Sequence, residues 1–332
     1  MNDPRSAVEP AAAVTVPEAV TALDGAPETV TGPHGSGRPA GRGAALVPVA
    51  LVIGGVVSVQ FGAAVAALLM PRAGAFGVVT LRLLVAAVVL LAVCRPTLRG
   101  HSRADWGTVL AFGVTMGAMN NLFYQALDRI PLGIAVTLEV LGPLALSVIA
   151  SRRLVNLLWA GLALVGVALL GGAGGFGRLD LLGAGLAVAA GAMWALYIVF
   201  SARTGRRFPK ADGLALAMAV AALLSLPLGI AESGAKLVVP STVLLGAAVA
   251  LLSSVLPYTL ELMALRRLPA STFAVMMSLE PAIAALAGFL ILDQALSTTD
   301  ALAIALVIGA SVGAVRGQVG GDRKERKKRR EA

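Results

Sequence analysis

Three charged side chains, Arg82, Glu139 and Glu280, stand inside runs of apolar residues. A charge at the centre of a bilayer costs about 2.5–3.5 kcal/mol on insertion scales, so such residues face a cavity or a partner and mark a pathway. A carboxylate in that position can hold an ammonium group or exchange a proton, and a guanidinium can hold a carboxylate. Two prolines sharpen the pattern. Pro143 has no N–H to give, so the carbonyl of Glu139, four residues earlier, loses its helical partner. Pro281 does the same to Met277, one turn before Glu280. Freed carbonyls at membrane depth are tolerated where they line a cavity or find other donors. Arg82 serves equally well as a structural ion-pair partner of Glu139 or Glu280, and Glu139 admits the same bland reading. Glu280 is the better functional candidate, by depth and by its adjoining proline. Glu261 lies near the end of its apolar run and reads as a snorkelling residue.

Polar uncharged residues gather near these charges. Asn120, Asn121, Tyr124 and Gln125 form one group, and Tyr258 and Thr259 follow Pro257 in another. Such groups either hydrogen-bond a polar solute or stitch helices together, the latter worth about 0.6 kcal/mol on average. Asn120 and Tyr258 divide evenly between the two roles; the others read as structural, as do Trp194 and Tyr197.

The elements that must carry these residues are ten apolar stretches: 46–70, 75–94, 106–127, 131–150, 155–172, 181–200, 212–232, 239–263, 270–292 and 298–316. About 20 apolar residues cross about 30 Å of hydrocarbon. With 58% hydrophobic residues, 14% charged residues and a mean hydropathy of +0.86, the chain has nothing left for a sizeable soluble domain. At 1.5 Å per residue, Glu139 lies about 12 Å, Arg82 about 9 Å and Asn120 about 10 Å from one face, and Glu280 about 16 Å from the other. One layer can hold all four.

Basic residues orient the stretches. With the amino terminus in the cytoplasm, the inner links hold Arg95, Arg99, Arg103, Arg152, Arg153, Arg203, Arg206, Arg207, Lys210, Arg266 and Arg267. The outer links hold Arg72, Arg129, Arg178 and Lys236. Ten crossings return the carboxyl terminus, with its cluster Arg323–Arg330, to the cytoplasm. The net charge of +9 and pI near 10.6 therefore reflect this bias and attraction to anionic lipid, not nucleic-acid binding. Residues 1–43, rich in Ala, Pro, Thr and Gly, read as a disordered cytoplasmic tail without the pattern of a secretory signal. Residues 318–332 form a basic cytoplasmic tail. Cys94 is the one cysteine, and His34 and His101 are the two histidines, so neither a disulfide nor a Cys/His metal site is expected.

A repeat underlies the order. Ala126-Leu127-Asp128-Arg129-Ile130-Pro131 recurs as Ala264-Leu265-Arg266-Arg267-Leu268-Pro269, an offset of 138 residues. Pro131 and Pro269 are each followed by a second proline 12 residues on, Pro143 and Pro281. A hairpin cap explains the hexapeptide but not the second proline. Duplication of a five-span unit explains both, with copies at 44–173 and 174–317. Five is odd, so the copies cross in opposite senses, which is the inverted-repeat plan of secondary transporters with a site near the midplane. The fold class is thus all-α integral membrane, ten helices in two inverted halves. Gly113-xxx-Gly117 and Gly309-xxx-Gly313 allow close helix contact, and the second suggests a homodimer through the last span.

The stretch 119–153, MNNLFYQALDRIPLGIAVTLEVLGPLALSVIASRR, resembles the bacterial inner-membrane threonine/homoserine exporters of the EamA branch of the drug/metabolite transporter superfamily. The segments 256–292, 57–83 and 191–199 carry the same resemblance, which covers about 46–315. It implies two inverted five-helix EamA repeats in the cell membrane and proton-driven export of small amino acids. On the physical reading, Glu139 or Glu280 would face the ammonium group of a zwitterion and Arg82 its carboxylate, with a proton at Glu280 competing with substrate. The competing expectations are an EamA exporter of drugs or purine-like metabolites and, from another class, a membrane-embedded enzyme or scaffold. No HExxH, GxSxG, His/Cys cluster or Walker motif supports an enzyme or an ATP-driven pump. No cofactor is implied.

Overall fold

The computed structural model describes residues 42–151, 154–172, 180–208, 211–257, 260, 264 and 275–331. Those residues are helical throughout their apolar stretches, and no strand occurs among them. The helices are α1 (Arg42–Cys94), α2 (Arg103–Leu127), α3 (Leu132–Glu139), α4 (Leu141–Ser151), α5 (Leu154–Gly172), α6 (Leu181–Arg207), α7 (Asp212–Ser233), α8 (Pro240–Ala250), α9 (Glu280–Leu292) and α10 (Thr298–Glu331). Among the described residues, four helices are long and apolar enough to cross a membrane: 47–94, 181–207, 212–238 and 275–292. The expected tail 1–43 lies outside the described residues, apart from Arg42 and Gly43, which begin α1. The basic tail does not break the last helix: the backbone of α10 stays helical through Glu331.

Two of the expected stretches form one element. α1 runs through Pro71 and bends at Gly74, whose φ of 64° lies in the left-handed region open to glycine. The bend sends the second half of α1 back along α7. There Gly77 N–H donates to Glu232 Oε2 (3.1 Å), Ser233 Oγ donates to the Ala73 carbonyl, and Thr80 Oγ1 donates to the Ser225 carbonyl (2.8 Å). The contact needs small residues: a Cβ at Gly229 would land on the Thr80 side chain.

Burial follows the rule for lipid rather than water. The interior is rich in Ala, Val and small polar groups beside larger side chains such as Phe112, Leu83 and Met116, with Ser58, Gln60, Thr80, Thr137, Ser225, Ser253, Ser254 and Glu280 all buried. Large apolar side chains such as Leu68, Val88, Leu164, Leu223, Leu244 and Leu290 point outward. In hydrocarbon a Leu gains nothing by hiding, whereas a polar group must find a partner inside.

α2 and α6 lie side by side and are clipped at both ends by their own caps. Ser102 and Asp105 form a capping box on α2, with Ser102 N–H to Asp105 Oδ2 at 2.9 Å and Asp105 N–H to Ser102 Oγ at 3.2 Å. Asp180 caps α6 by accepting from the N–H groups of Leu182 (2.9 Å) and Gly183 (3.0 Å). Each cap carboxylate also takes an arginine from the neighbouring helix: Arg207 to Asp105 at 3.2 Å and Arg129 to Asp180 at 3.3 Å. Link residues thereby sort onto two faces. Arg129, Asp180, Glu232 and Gly77 belong to one; Asp105, Arg207, His101 and Phe208 belong to the other, where His101 stacks on Phe208 at 4.3 Å.

The expected break at Pro143 is present. α3 ends at Glu139, Val140 turns, and α4 resumes at Leu141. The break is pressed directly against α6. A Cβ on Gly191 would fall on the Glu139 carbonyl, and a Cβ on Gly142 would fall on the Gly191 carbonyl. The glycine pairs of the sequence also find partners. Gly113 and Gly117 seat α2 on Ala217, Val220 and Ala221 of α7. Gly313 lies under the ring of Trp159 on α5, and a Cβ on Gly309 would come within 4.0 Å of Leu162, so the Gly309-xxx-Gly313 stripe packs against α5 of the same chain.

Two outcomes test this packing. Gly191→Ala should lower the melting temperature in detergent, with a cost of about 1–3 kcal/mol for overpacking. Gly185→Ala on the same helix meets nothing within 4 Å and should be neutral or stabilising by up to about 1 kcal/mol. Equal effects from both would contradict the close backbone approach. Acid tests the clips. The backbone N–H of Ser102 holds Asp105, and that of Gly183 holds Asp180, below the usual carboxylate range, with the facing arginines adding to the effect. A carboxyl depressed in the folded state contributes stability above its unfolded pKa of about 3.9 and loses it as pH falls through the folded value. The melting temperature should therefore hold to about pH 4 and drop below it, and the Asp105→Asn/Asp180→Asn double variant should lose that acid-sensitive part of the drop. An unchanged acid profile in the variant would refute the clips.

Candidate functional site

Proline chemistry builds the site. Pro257 cannot donate, so the carbonyl of Ser253, four residues earlier, has no helical partner. The helix adapts by widening into a π-turn over Leu251–Val255, in which Leu256 N–H reaches the Leu251 carbonyl. That shift also takes the usual donor away from the Leu252 carbonyl. Two side chains from α1 fill the vacancies. Ser58 Oγ donates to the Leu252 carbonyl at 2.5 Å, and Arg82 Nη2 donates to the Ser253 carbonyl at 3.5 Å. Gly62, against which Ser253 packs, lets α1 approach this closely.

Arg82 has two further partners. Its Nε donates to Ser254 Oγ at 3.4 Å, and its Nη1 donates to the Tyr124 hydroxyl at 3.0 Å. The guanidinium also lies over the Tyr124 ring, 5.5 Å from its centre, a cation–π arrangement. Tyr124 is fully buried, and Phe123 meets its ring edge-on at 5.6 Å. Among the described residues every hydrogen-bond partner of Arg82 is neutral. The ion pairs among those residues are the two helix clips, not Arg82 with Glu139.

Glu139 lies on α3, which packs against α6 and α9. It is the last residue of α3, where every neighbour from Leu132 to Leu138 and Val140 is buried while Glu139 itself is half-open. Arg82 is likewise half-open between buried Leu81 and Leu83. Both side chains are thus less buried than their immediate neighbours along the chain. Glu280 is buried at the start of α9, with Pro281 in the first turn and the backbone turning at Ser278 and Leu279. α9 packs on α1 and α3, closely enough that a Cβ on Gly133 would meet the backbone of Ala285. Gln294, just past α9, accepts from the Leu132 N–H at 3.0 Å, so α3 and α9 run antiparallel.

The remaining candidates divide. Asn120 is buried and spends its amide on its own helix, Nδ2 to the Met116 carbonyl at 2.9 Å. Asn121 makes the cross-helix stitch, with Nδ2 to Ser225 Oγ at 2.8 Å. Tyr258 and Glu261 lie outside the described residues. Tyr197 stacks on Phe112 at 5.2 Å. A cavity of about 260 Å³ opens near the Arg129 end, lined by Phe76, Asn121, Gln125, Arg129 and Leu186. Among the described residues no group of three His, Cys, Asp or Glu could hold a metal. Sequence reasoning passed over Tyr124 as structural and did not single out Ser253 or Ser254. The signal was available: counting four residues back from Pro257 finds Ser253.

Comparison with known proteins agrees with this architecture. Residues 181–316 match the model of the EamA-like transporter family. Threonine/homoserine exporter RhtA of Escherichia coli (strain K12) is 40% identical over 268 residues, covering 80% of this chain and 90% of that exporter. Threonine/homoserine exporter RhtA of Salmonella typhimurium (strain LT2) gives the same identity and coverage. A solved crystal structure of a protein 22% identical in sequence superimposes with a TM-score of 0.55, over 80% of this chain and 96% of that one, and shows the fold alone. The chain is a membrane transport protein rather than an enzyme, and it belongs to the EamA-like transporter family.

Proposed function

We propose that this protein exports small amino acids of the threonine or homoserine kind across the bacterial inner membrane, exchanging them for protons by alternating access. The observation that carries this reading is the presence of two ionisable side chains, Arg82 and Glu139, each only partly exposed between buried apolar neighbours. A zwitterion complements that pair. Its carboxylate would meet Arg82, whose described partners are neutral, and its ammonium would meet Glu139. The exporters named above, at 40% identity, support the choice of cargo.

Glu280 is the candidate proton carrier. It is buried at a helix break, where proton and substrate would compete and so couple their fluxes. The two halves, 44–173 and 174–317, would rock against each other about this layer. The antiparallel course of α3 and α9 supports their inversion. Both termini would be cytoplasmic: the face bearing His101, Asp105 and Arg207 is also the face with the larger share of basic links.

Proteoliposomes containing the full chain test the reading by counterflow of radiolabelled threonine and homoserine. Glu139→Gln should reduce exchange at least about tenfold, the value of a lost charge-assisted contact. Glu280→Gln should retain counterflow but lose its response to an imposed pH gradient. Unchanged pH-driven export by Glu280→Gln would remove Glu280 from the mechanism. A wild-type protein that moves purine analogues or cationic dyes and no amino acid would overturn the cargo.

A further inference from the structure

We infer that Tyr124 is the positioning residue of Arg82, and that Ser253 and Ser254 hold the guanidinium only until the carboxylate of a transported solute displaces them. This rests on the amino-acid export reading and adds to it the step that links binding to movement.

The geometry separates two kinds of contact on one side chain. Nη1 makes the shorter bond, 3.0 Å to the Tyr124 hydroxyl, and the ring of the same residue supports the charge from below. Tyr124 is fully buried on α2, so it fixes the head of Arg82 from the first half of the sequence. Nε and Nη2 face the other way, to Ser254 Oγ at 3.4 Å and the Ser253 carbonyl at 3.5 Å. These two N–H groups form a parallel fork of the kind that matches a carboxylate bidentately. Here the fork is filled by two neutral acceptors at distances well beyond the 2.7–2.9 Å of a charge-assisted bond. Both acceptors belong to the π-turn that Pro257 imposes on the end of α8, in the second half of the sequence.

A carboxylate entering the half-open layer would satisfy both prongs at once and more strongly. Doing so would release the π-turn from α1, with Tyr124 keeping Arg82 in place. The inter-half bond would therefore exist when the site is empty and break when a carboxylate is bound. A solute lacking the carboxylate would leave the latch closed. Arg82→Lys would not substitute, because an ammonium has no planar fork.

Two variants with opposite expected signs test the latch in proteoliposomes. Ser254→Ala removes a competitor for the fork, so KM for threonine export should fall about threefold. Tyr124→Phe keeps the ring but frees the guanidinium head, so KM should rise about tenfold with a smaller change in kcat. A purely structural role for either residue would lower kcat and leave KM unmoved. Misfolding cannot mimic the tighter KM of Ser254→Ala, which therefore carries the test alone if Tyr124→Phe is poorly folded. Threonine amide, which lacks the anionic carboxylate, should compete at least about tenfold less well than threonine. An unchanged or raised KM in Ser254→Ala, or equal competition by the amide, overturns the latch while leaving export intact. A wild-type protein that moves no amino acid refutes the export reading itself, and the latch with it.

Discussion

A backbone carbonyl that loses its helical donor inside hydrocarbon must find another, and several prolines impose that demand on this chain, three of them beside the polar residues described above. Pro143, Pro257 and Pro281 free the carbonyls of Glu139, Ser253 and Met277. The chain answers each differently. At Glu139 the helix breaks, and Gly191 brings another backbone against the opening. At Ser253 the helix widens and borrows donors from Arg82 and Ser58 on α1. At Met277 it stops, turns and begins again at Glu280. Each solution leaves a charged residue at an interruption in a helix. The polar layer is thus a consequence of where regular hydrogen bonding fails, not an addition to an otherwise uniform bundle.

The rest of the packing exists to make those interruptions affordable. Helices can approach a neighbour's backbone only where side chains are small, which is why glycines sit at Gly62, Gly133, Gly142, Gly191 and Gly229 against other elements. Many large apolar residues, such as Leu68, Leu164, Leu223 and Leu290, face outward, while others, such as Phe112, Leu83, Met116 and Leu132, are buried. Rigidity comes from the ends rather than the middle. The clips at Asp105 and Asp180 hold α2 to α6 outside the apolar layer, where charges remain hydrated and cost little. The centre is then free of ion pairs among the described residues, and Arg82 keeps its charge available.

Much of this was legible from residue types and spacing. Apolar length gave the helical class, and the prolines Pro143 and Pro281 lie just after the turns at Val140 and Ser278. What escaped were groups whose meaning depends on a partner distant in sequence. Tyr124 lies 42 residues from Arg82, and Ser253 and Ser254 lie 171 and 172 residues away. Serine in an apolar run looks like harmless filler until the freed carbonyl beside it is noticed. The rule already applied to Pro143 and Pro281 applies equally to Pro257, yet attention there went to Tyr258, which follows it. Likewise a Gly-xxx-Gly stripe shows that something packs closely but not what, and at Gly313 the partner is Trp159 of the same chain.

The paired prolines repeat at a fixed offset, but the charged residues around them do not. At the offset of 138 residues Pro143 meets Pro281, but Glu139 meets Met277, Gly142 meets Glu280 and Arg82 meets Val220. The first half keeps its carboxylate before the break, and the second half carries one after it. Glu139 therefore sits at the carboxyl end of α3, where carbonyl dipoles point the same way as its own charge and favour a cation beside it. Glu280 sits in the first turn of α9, where the amide dipoles favour an anion. A site with matched charges in both halves would bind a symmetric solute as readily in either sense. Arg82 has no charged counterpart at this offset, and Glu139 ends a helix where a cation is favoured, so the two halves of the sequence are unequal in charge. On the export reading proposed above, a zwitterion would enter in one orientation only, with its carboxylate toward Arg82 and the two serines that hold it.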